Sequence, residues 1–121
     1  MDNLHQAKVQ FEQTDLLLKE GKYADVVKIC EKIVPIFEEL EEWELYVDAM
    51  NKSSEGLWGD GKYDEGLEKA NKSLAISISF LREVHPSTAE SNRNIAICYL
   101  CKGKFNIALQ YYKKSLSIRQ I

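Results

Sequence analysis

A glycine followed by a lysine and an aromatic residue occurs three times in the chain, at Gly21, Gly61 and Gly103. The glycines are 40 and 42 residues apart, and the similarity continues beyond them. The segment 72–76, KSLAI, matches the segment 114–118, KSLSI, at the same offset of 42 residues. Self-similarity at such a period is the signature of a repeat protein, in which each copy is one unit that packs against its neighbours. The sequence therefore predicts three structural repeats.

Each copy is predicted to contain two helices with the glycine between them. After Gly103, the residues Ala108, Tyr112 and Leu116 recur every four positions, which places them on one face of a helix. A glycine commonly ends a helix because it adopts the left-handed conformation without a side-chain clash. The predicted helices cover residues 3–20, 23–40, 43–59, 63–83, 87–102 and 105–119.

The residues that follow each glycine predict how the two helices of a pair meet. The aromatic residues Tyr23, Tyr63 and Phe105 are expected to begin the second helix and to fill the gap between the paired helices. Gly66 and Ala108 follow three residues later, one turn along the helix. A small side chain at that place predicts a close approach of the two helices.

Three features predict where helices begin and end. The stretch 38–45, EELEEWEL, has no glycine or proline, but the repeat period places a turn near Glu41–Glu42. Pro35 lies inside a helical pattern and is predicted to kink its helix or end it early. Ser87 is predicted to cap the fifth helix, with Glu90 reaching back to the free backbone amide.

This pattern resembles the tetratricopeptide repeat (TPR) family. The similarity lies in the Gly-Lys-aromatic junction, the small residue one turn later and the Lys-Ser-Leu-x-Ile sequence of the second helix. The long period is most similar to the kinesin-light-chain-type subgroup. The resemblance implies an all-α fold, a right-handed α-solenoid of three antiparallel helix pairs that forms a TPR-like superhelix. It also implies a single domain over residues 1–121, with repeats at approximately 3–41, 43–84 and 86–121, and a non-catalytic role in protein binding.

Composition restricts the other functional classes. Apolar residues make up 45% of the chain and charged residues 29%, which is typical of a globular domain. The net charge of -3 argues against a nucleic-acid-binding protein with a broad basic surface. Neither the first twenty residues nor the apolar-leaning run at 73–81 predicts a signal peptide or a membrane span. Three cysteines, an odd number, favour a reducing compartment, so a cytoplasmic location is predicted.

Cys98 and Cys101 form a Cys-x-x-Cys pair, which raises the question of a redox or zinc site. A zinc site needs four ligands, and the remaining candidates, Cys30, His5 and His85, lie on different predicted helices. Packing within a helix is the simpler interpretation. The sequence has no phosphate-binding glycine loop and no nucleophile motif. The chain is therefore predicted to be no enzyme and to use no cofactor or metal.

The resemblance implies that a peptide or partner helix binds in the concave groove, which the first helix of each pair lines in this family. The corresponding positions are Phe11, Asp15 and Leu18 in the first repeat, Asn51, Lys52, Glu55 and Trp58 in the second, and Arg93, Asn94 and Ile97 in the third. Asparagine side chains can donate and accept hydrogen bonds with a peptide backbone. Trp58 either anchors the ligand or packs against a neighbouring helix.

One ligand class of the family is disfavoured. Repeats that bind the C-terminal carboxylate of chaperones use lysines, an arginine and asparagines along the groove. Phe11, Asp15 and Glu90 occupy three of the corresponding places in this chain. The two acidic residues would repel a carboxylate, so the binding of chaperone tails is not expected.

Two further surfaces are candidates for an interaction. The glutamates at 38–44 concentrate negative charge at one corner, which is either a solvated helix end or a docking site for a basic partner. The residues at 117–121 are not followed by a polar helix that would cover the last apolar face, although solenoids need such a cap. The alternative function is therefore structural. The chain would be a segment of a longer TPR array in a multidomain regulatory protein, or a homo-oligomer through its uncapped C-terminal helix.

Overall fold

The computed structural model describes residues 3–120, and within them it contains six α-helices, one π-helical turn and no strand. The helices are α1 (Asn3–Lys19), α2 (Tyr23–Glu39), α3 (Trp43–Gly59), α4 (Tyr63–Ile76), continued by the π-helical turn Ser77–Leu81, α5 (Pro86–Cys101) and α6 (Phe105–Arg119). Five of the six predicted helices agree with these bounds to within one residue. Residues 1, 2 and 121 of the predicted domain lie outside the described part.

The helices form a right-handed α-solenoid of three antiparallel pairs, as predicted. Each helix packs against the next one in the chain, and α3 also contacts both α1 and α5. Among residues 3–120 the second helices of the pairs, α2, α4 and α6, do not contact one another. The first helices therefore lie together on the concave side of the solenoid. No helix in this range is long and apolar enough to cross a membrane.

The turn inside each pair contains the recurring glycine in the left-handed conformation. The φ angles of Gly21, Gly61 and Gly103 are 73°, 81° and 78°. The turn between α2 and α3 places Glu41 at φ 54°, although a side chain there costs about 1–2 kcal/mol. The predicted break near Glu41–Glu42 is thereby confirmed, with a residue type that gives no sequence signal for it.

The expected early end of α2 at Pro35 is wrong. The helix continues for four residues beyond the proline, to Glu39. Ile33 and Phe37, on either side of Pro35, are fully buried, whereas the proline itself is exposed. The burial of these two side chains offsets the hydrogen bond that the proline nitrogen cannot donate.

The predicted cap of α5 is also wrong. His85 is the N-cap residue, because its Nδ1 accepts a hydrogen bond from the Ser87 amide at 2.9 Å. Pro86 occupies the first helical position, where its missing N–H group costs nothing, so the helix begins one residue earlier than predicted. The Ser87 hydroxyl instead donates to Asp48 at 2.7 Å, and Glu90 pairs with arginines rather than with the backbone.

The close approach predicted at the small residues is confirmed. A Cβ atom at Gly66 would lie 3.2 Å from the carbonyl oxygen of Ser54 and 3.4 Å from the Cys98 sulfur. These are tight contacts with the helices before and after α4. Ala108, at the equivalent position of α6, is also buried.

The aromatic residue after each glycine packs differently from the prediction. A Cβ atom at Gly59 would lie 2.6 Å from the ring of Tyr23, so this ring fills the space between α2 and the following helix, α3. It does not fill the gap between the paired helices, because the small residue one turn later already brings these into contact. Phe105, the equivalent residue of α6, has no helix after it within the described residues and is 66% exposed.

An apolar layer joins the first repeat to the second. Side chains from α1, α2 and α3 meet there without water, and Phe37 also makes an edge-to-face contact with Phe11 at 6.4 Å between ring centroids. Burial of these side chains stabilises the layer through the hydrophobic effect. The apolar layer consists of Ala7, Ile33, Phe37, Tyr46, Val47, Ala49 and Met50.

A polar layer joins the second repeat to the third. Ser73 Oγ donates to Asn51 Oδ1 at 2.7 Å and lies 2.7 Å from Ser91 Oγ. The hydroxyl groups of Ser77 and Thr88 are 2.5 Å apart, next to the π-helical turn. The polar layer consists of Asn51, Ser73, Ser77, Ser87, Thr88, Ser91 and Asn94, all of them buried. Hydrogen bonds between α3, α4 and α5 thus occupy the place that apolar contacts occupy in the first layer.

Candidate functional site

A recess of about 320 Å³ lies on the concave side, between α1, α3 and α5. Half of the ten predicted groove residues line it, together with three further acidic residues. The lining residues are Phe11, Glu12, Asp15, Asp48, Asn51, Lys52, Glu55 and Glu90. We call this recess the acidic groove, because it presents five carboxylates and a single lysine.

The lysine of the acidic groove is already paired. Lys52 Nζ lies 2.7 Å from Asp15 Oδ1. Burial by itself lowers the pKa of Lys52, but the bond to Asp15 and the charges of Glu55 and Glu90 outweigh burial, so its pKa is raised. Lys52 is therefore fully charged near neutral pH, and it compensates one carboxylate of the groove.

Two other carboxylates of the groove are poorly compensated. Burial raises the pKa of Asp48, although a hydrogen bond from Ser87 opposes this effect. Burial also raises the pKa of Glu55, and the nearby charge of Glu90 adds to the rise. Within residues 3–120 no group donates a hydrogen bond to Glu55 and no cation pairs with it at close range. A cation that entered the groove would relieve this cost.

The end of the groove at the third repeat is closer to neutral. Glu90 accepts a hydrogen bond from Arg93 at 3.1 Å and another from Arg119 at 2.8 Å. Arg93, predicted to meet the ligand, is therefore engaged with a residue of its own helix. The excess of negative charge lies on α1 and α3.

The role predicted for Asn51 does not agree with its surroundings. Its side chain is 4% exposed. Its Nδ2 donates to the Ser87 carbonyl at 3.2 Å, and its Oδ1 accepts from Ser73 and Ser91 at 2.7 and 3.0 Å. Asn51 lines the groove only as part of its wall, because its amide is committed to the polar layer and cannot bind a peptide backbone.

Asn94 and Trp58 are likewise bonded to each other and to the fold. Asn94 is 1% exposed, and its Nδ2 donates to the backbone oxygen of Asn51 at 3.3 Å. Its Oδ1 accepts a hydrogen bond from Trp58 Nε1 at 3.2 Å. Of the two alternatives for Trp58, these contacts favour packing between helices, and the expected peptide-binding role of Asn94 is corrected for the same reason.

The sequence prediction missed part of the groove and included residues outside the recess. Leu18 and Ile97 are half-buried and do not line it. Glu12 and Asp48 do line it, and neither was predicted. A signal for both was available, because Glu12 lies three residues before Asp15 and Asp48 four residues before Lys52, one helical turn away.

The two cysteines of α5 are packing residues. Cys98 and Cys101 lie 42 residues after Gly56 and Gly59, the small residues of α3 that receive α2. Cys98 is fully buried, and burial raises the pKa of its thiol to about 11, which keeps it protonated and unreactive. In the described part of the chain no three His, Cys, Asp or Glu side chains converge as a metal site requires.

Comparison with known proteins agrees with this architecture. The sequence profile of the tetratricopeptide repeat family matches residues 49–121. The crystal structure of the TPR domain of Arabidopsis FLU superimposes with a TM-score of 0.87 at 17% identity, covering 98% of each chain. Two structures of nearly identical TPR-like repeats from a Podosopora anserina putative kinesin light chain give TM-scores of 0.78 and 0.75 at 20% identity. They cover 95% of this chain, which spans 55% and 56% of theirs. No curated protein matches the sequence significantly.

Proposed function

Because this chain belongs to the tetratricopeptide repeat family, whose members generally mediate protein–protein interactions, we propose that it is a non-catalytic protein-binding module. Its ligand is an arginine-rich peptide segment or partner helix, held in the acidic groove. The proposal includes a cytoplasmic location, which the three free cysteines support.

The observation that carries this proposal is the environment of Glu55. Its carboxylate is partly buried in a recess beside other acids, and burial raises its pKa. A folded chain gains nothing from such an arrangement, since ionising the group costs free energy. A cationic side chain from a partner would offset that cost and form a charge-assisted hydrogen bond.

The shape of the acidic groove favours arginine over lysine. Phe11 lines the groove next to Glu12 and Asp15, so an apolar ring stands beside carboxylates. A guanidinium group is planar, stacks on aromatic rings and binds carboxylates through two hydrogen bonds. The ammonium group of lysine does neither as well. Charge complementarity would also increase the rate of association and make it sensitive to salt.

The test is the binding of a fluorescein-labelled octa-arginine peptide to the full chain, measured by fluorescence anisotropy at several salt concentrations. Neutralising the groove with Asp15→Asn and Glu55→Gln should weaken binding by about tenfold or more, which corresponds to about 1.4 kcal/mol. An octa-lysine peptide of the same charge should bind more weakly than octa-arginine.

The matched control removes the same charge from the acidic corner near residues 38–44. Glu39 and Glu41 are both exposed there and lie outside the groove. The double variant Glu39→Gln and Glu41→Gln should bind octa-arginine as the unmodified chain does. If the corner variant loses affinity and the groove variant keeps it, the binding site is the corner and the proposal is wrong.

A further inference from the structure

One set of equivalent positions on the second helices is covered in two repeats and open in the third. The set is Tyr23, Val27 and Val34 on α2, Tyr63, Leu67 and Leu74 on α4, and Phe105, Leu109 and Leu116 on α6. The first six residues are half-buried. The last three are 66%, 52% and 56% exposed, and we call them the α6 face. The same apolar side chains that receive a helix twice are thus unoccupied at the third repeat.

The covered positions show what kind of helix fits. A Cβ atom at Gly56 would lie 3.0 Å from Val27, and one at Gly59 would lie 2.6 Å from the Tyr23 ring. Helix α3 therefore packs on α2 through two small residues three positions apart. Helix α5 has cysteines at the equivalent places. A helix that covers the α6 face needs small residues at positions i and i+3, because Phe105 and Leu109 project into it.

Charge adds a second requirement. Helix α6 carries Lys113, Lys114 and Arg119 and no acidic residue, and Lys104 precedes it. The only one of these cations with a carboxylate partner in the described chain is Arg119. An acidic helix would therefore complement this surface.

We propose that the α6 face docks an amphipathic helix of a partner protein, with small residues at positions i and i+3 of its apolar side and acidic residues flanking them. This docking is independent of the acidic groove, which lies on the first helices. The helix would occupy on α6 the place that α3 occupies on α2 and α5 on α4.

A second copy of this chain fits the α6 face poorly in either arrangement. If α1 of another copy stacked on α6, Leu16 and Lys19 would stand where Gly56 and Gly59 stand in α3. Both side chains are large, and the lysine would meet the lysines of α6. If two α6 faces met across a two-fold axis, the unpaired lysines of both copies would be brought together without an acidic residue between them.

The probe for the experiment is a peptide with the sequence of residues 43–59, which contains both small residues and has three acidic residues and one lysine. An isolated helix of this length is marginally stable in water, so a lactam staple on its polar side holds it helical, as circular dichroism would verify. Its binding to the full chain is followed by fluorescence anisotropy and by chemical-shift changes in ¹H–¹⁵N NMR spectra.

The unmodified peptide should bind and shift the resonances of Leu109 and Leu116. The chain variant Leu109→Ser with Leu116→Ser should lose about tenfold or more in affinity, whereas Leu16→Ser, at an apolar residue that is 62% exposed on α1, should lose none. A peptide with leucine and lysine in place of its two glycines should bind weakly.

Three results would overturn the proposal. The first is a stapled, helical peptide that does not bind at all. The second is binding that the double serine variant leaves unchanged, since the peptide would then have displaced α3 from inside the solenoid. The third is a dimer of the chain alone that the double serine variant dissociates, because the occupant of the α6 face would then be a second copy.

Discussion

The apolar layer and the polar layer occupy equivalent places in successive repeats but are built from different chemistry. Ile33 and Phe37 of α2 correspond, at an offset of 40 residues, to Ser73 and Ser77 of α4. All four side chains are fully buried. The same helix packing is thus stabilised in one layer by apolar contact and in the other by hydrogen bonds.

The two kinds of contact have different consequences. Apolar burial stabilises roughly in proportion to area and has little directional preference. A buried hydrogen bond adds a net stabilisation of only about 0.5–1.5 kcal/mol, but a missing partner costs about 1–3 kcal/mol. We therefore expect the apolar layer to contribute most of the stability, and the polar layer to fix the register between α3, α4 and α5.

The largest effect is expected for Phe37→Ala in the apolar layer. Removing a fully buried aromatic side chain leaves a cavity and should lower the free energy of unfolding by about 3–5 kcal/mol. Urea denaturation followed by circular dichroism measures it. The control Leu16→Ala, at an exposed position, should change stability by about 0.5 kcal/mol or less. A loss at Phe37 as small as the control would show that this layer does not dominate.

A smaller loss is expected for Asn51→Ala in the polar layer. The substitution leaves the hydroxyl groups of Ser73 and Ser91 and the carbonyl of Ser87 without their amide partner. The free energy of unfolding should fall by about 1–3 kcal/mol, measured in the same way. Ser73 and Ser91 remain bonded to each other, which limits the loss. If this variant cost more than Phe37→Ala, the ranking of the two layers would be reversed.

A gain is expected for Asn92→Met. Asn92 corresponds to Met50 of the apolar layer, and its Oδ1 is buried without a hydrogen-bond partner in the described structure. It also lines a recess of about 430 Å³ beside Leu74 and Ile118, which leaves room for a longer side chain. Methionine removes the unpaired acceptor and should raise the free energy of unfolding by about 1 kcal/mol. Destabilisation by this variant would mean that Oδ1 has a partner, such as a buried water.

The smallest effect is expected for Glu55→Gln, and it should depend on pH. Burial raises the folded-state pKa of Glu55 above its ordinary value of 4.5, so the wild-type chain loses stability as pH rises through the interval between the two values. Glutamine does not titrate. The variant should therefore gain about 0.5 kcal/mol or less relative to the wild type on going from about pH 4 to about pH 7. Urea denaturation at both pH values measures the difference, and a variant that became relatively weaker at neutral pH would contradict the sign.

The helices and their turns could be predicted because the signals for them are local. A glycine with a left-handed φ angle ends a helix through its own conformation, as at Gly61, and an apolar residue every fourth position marks a helix face. The errors at Pro35 and Ser87 have a different origin. In both cases a contact with a distant part of the chain, such as the bond from Ser87 to Asp48, overrides the local preference.

The groove was predicted less accurately because a helical projection cannot show which polar residues face inward. Asn51 and Asn94 have the residue type expected of a peptide-binding groove, yet both are committed to the polar layer. The depth at which a polar side chain lies depends on the helices stacked against it. This information is absent from the spacing of residues within one helix.

The sequence by itself determined the number of repeats, the helix bounds and the family of this protein, because each of these depends on a period or on the conformation of one residue. Only the tertiary structure decided which side chains are available to a partner. It buried Asn51 and Asn94, left Glu55 without a counterion and exposed Phe105 where Tyr23 is covered. Burial and charge compensation arise between helices that are distant in the chain, so no local pattern specifies them.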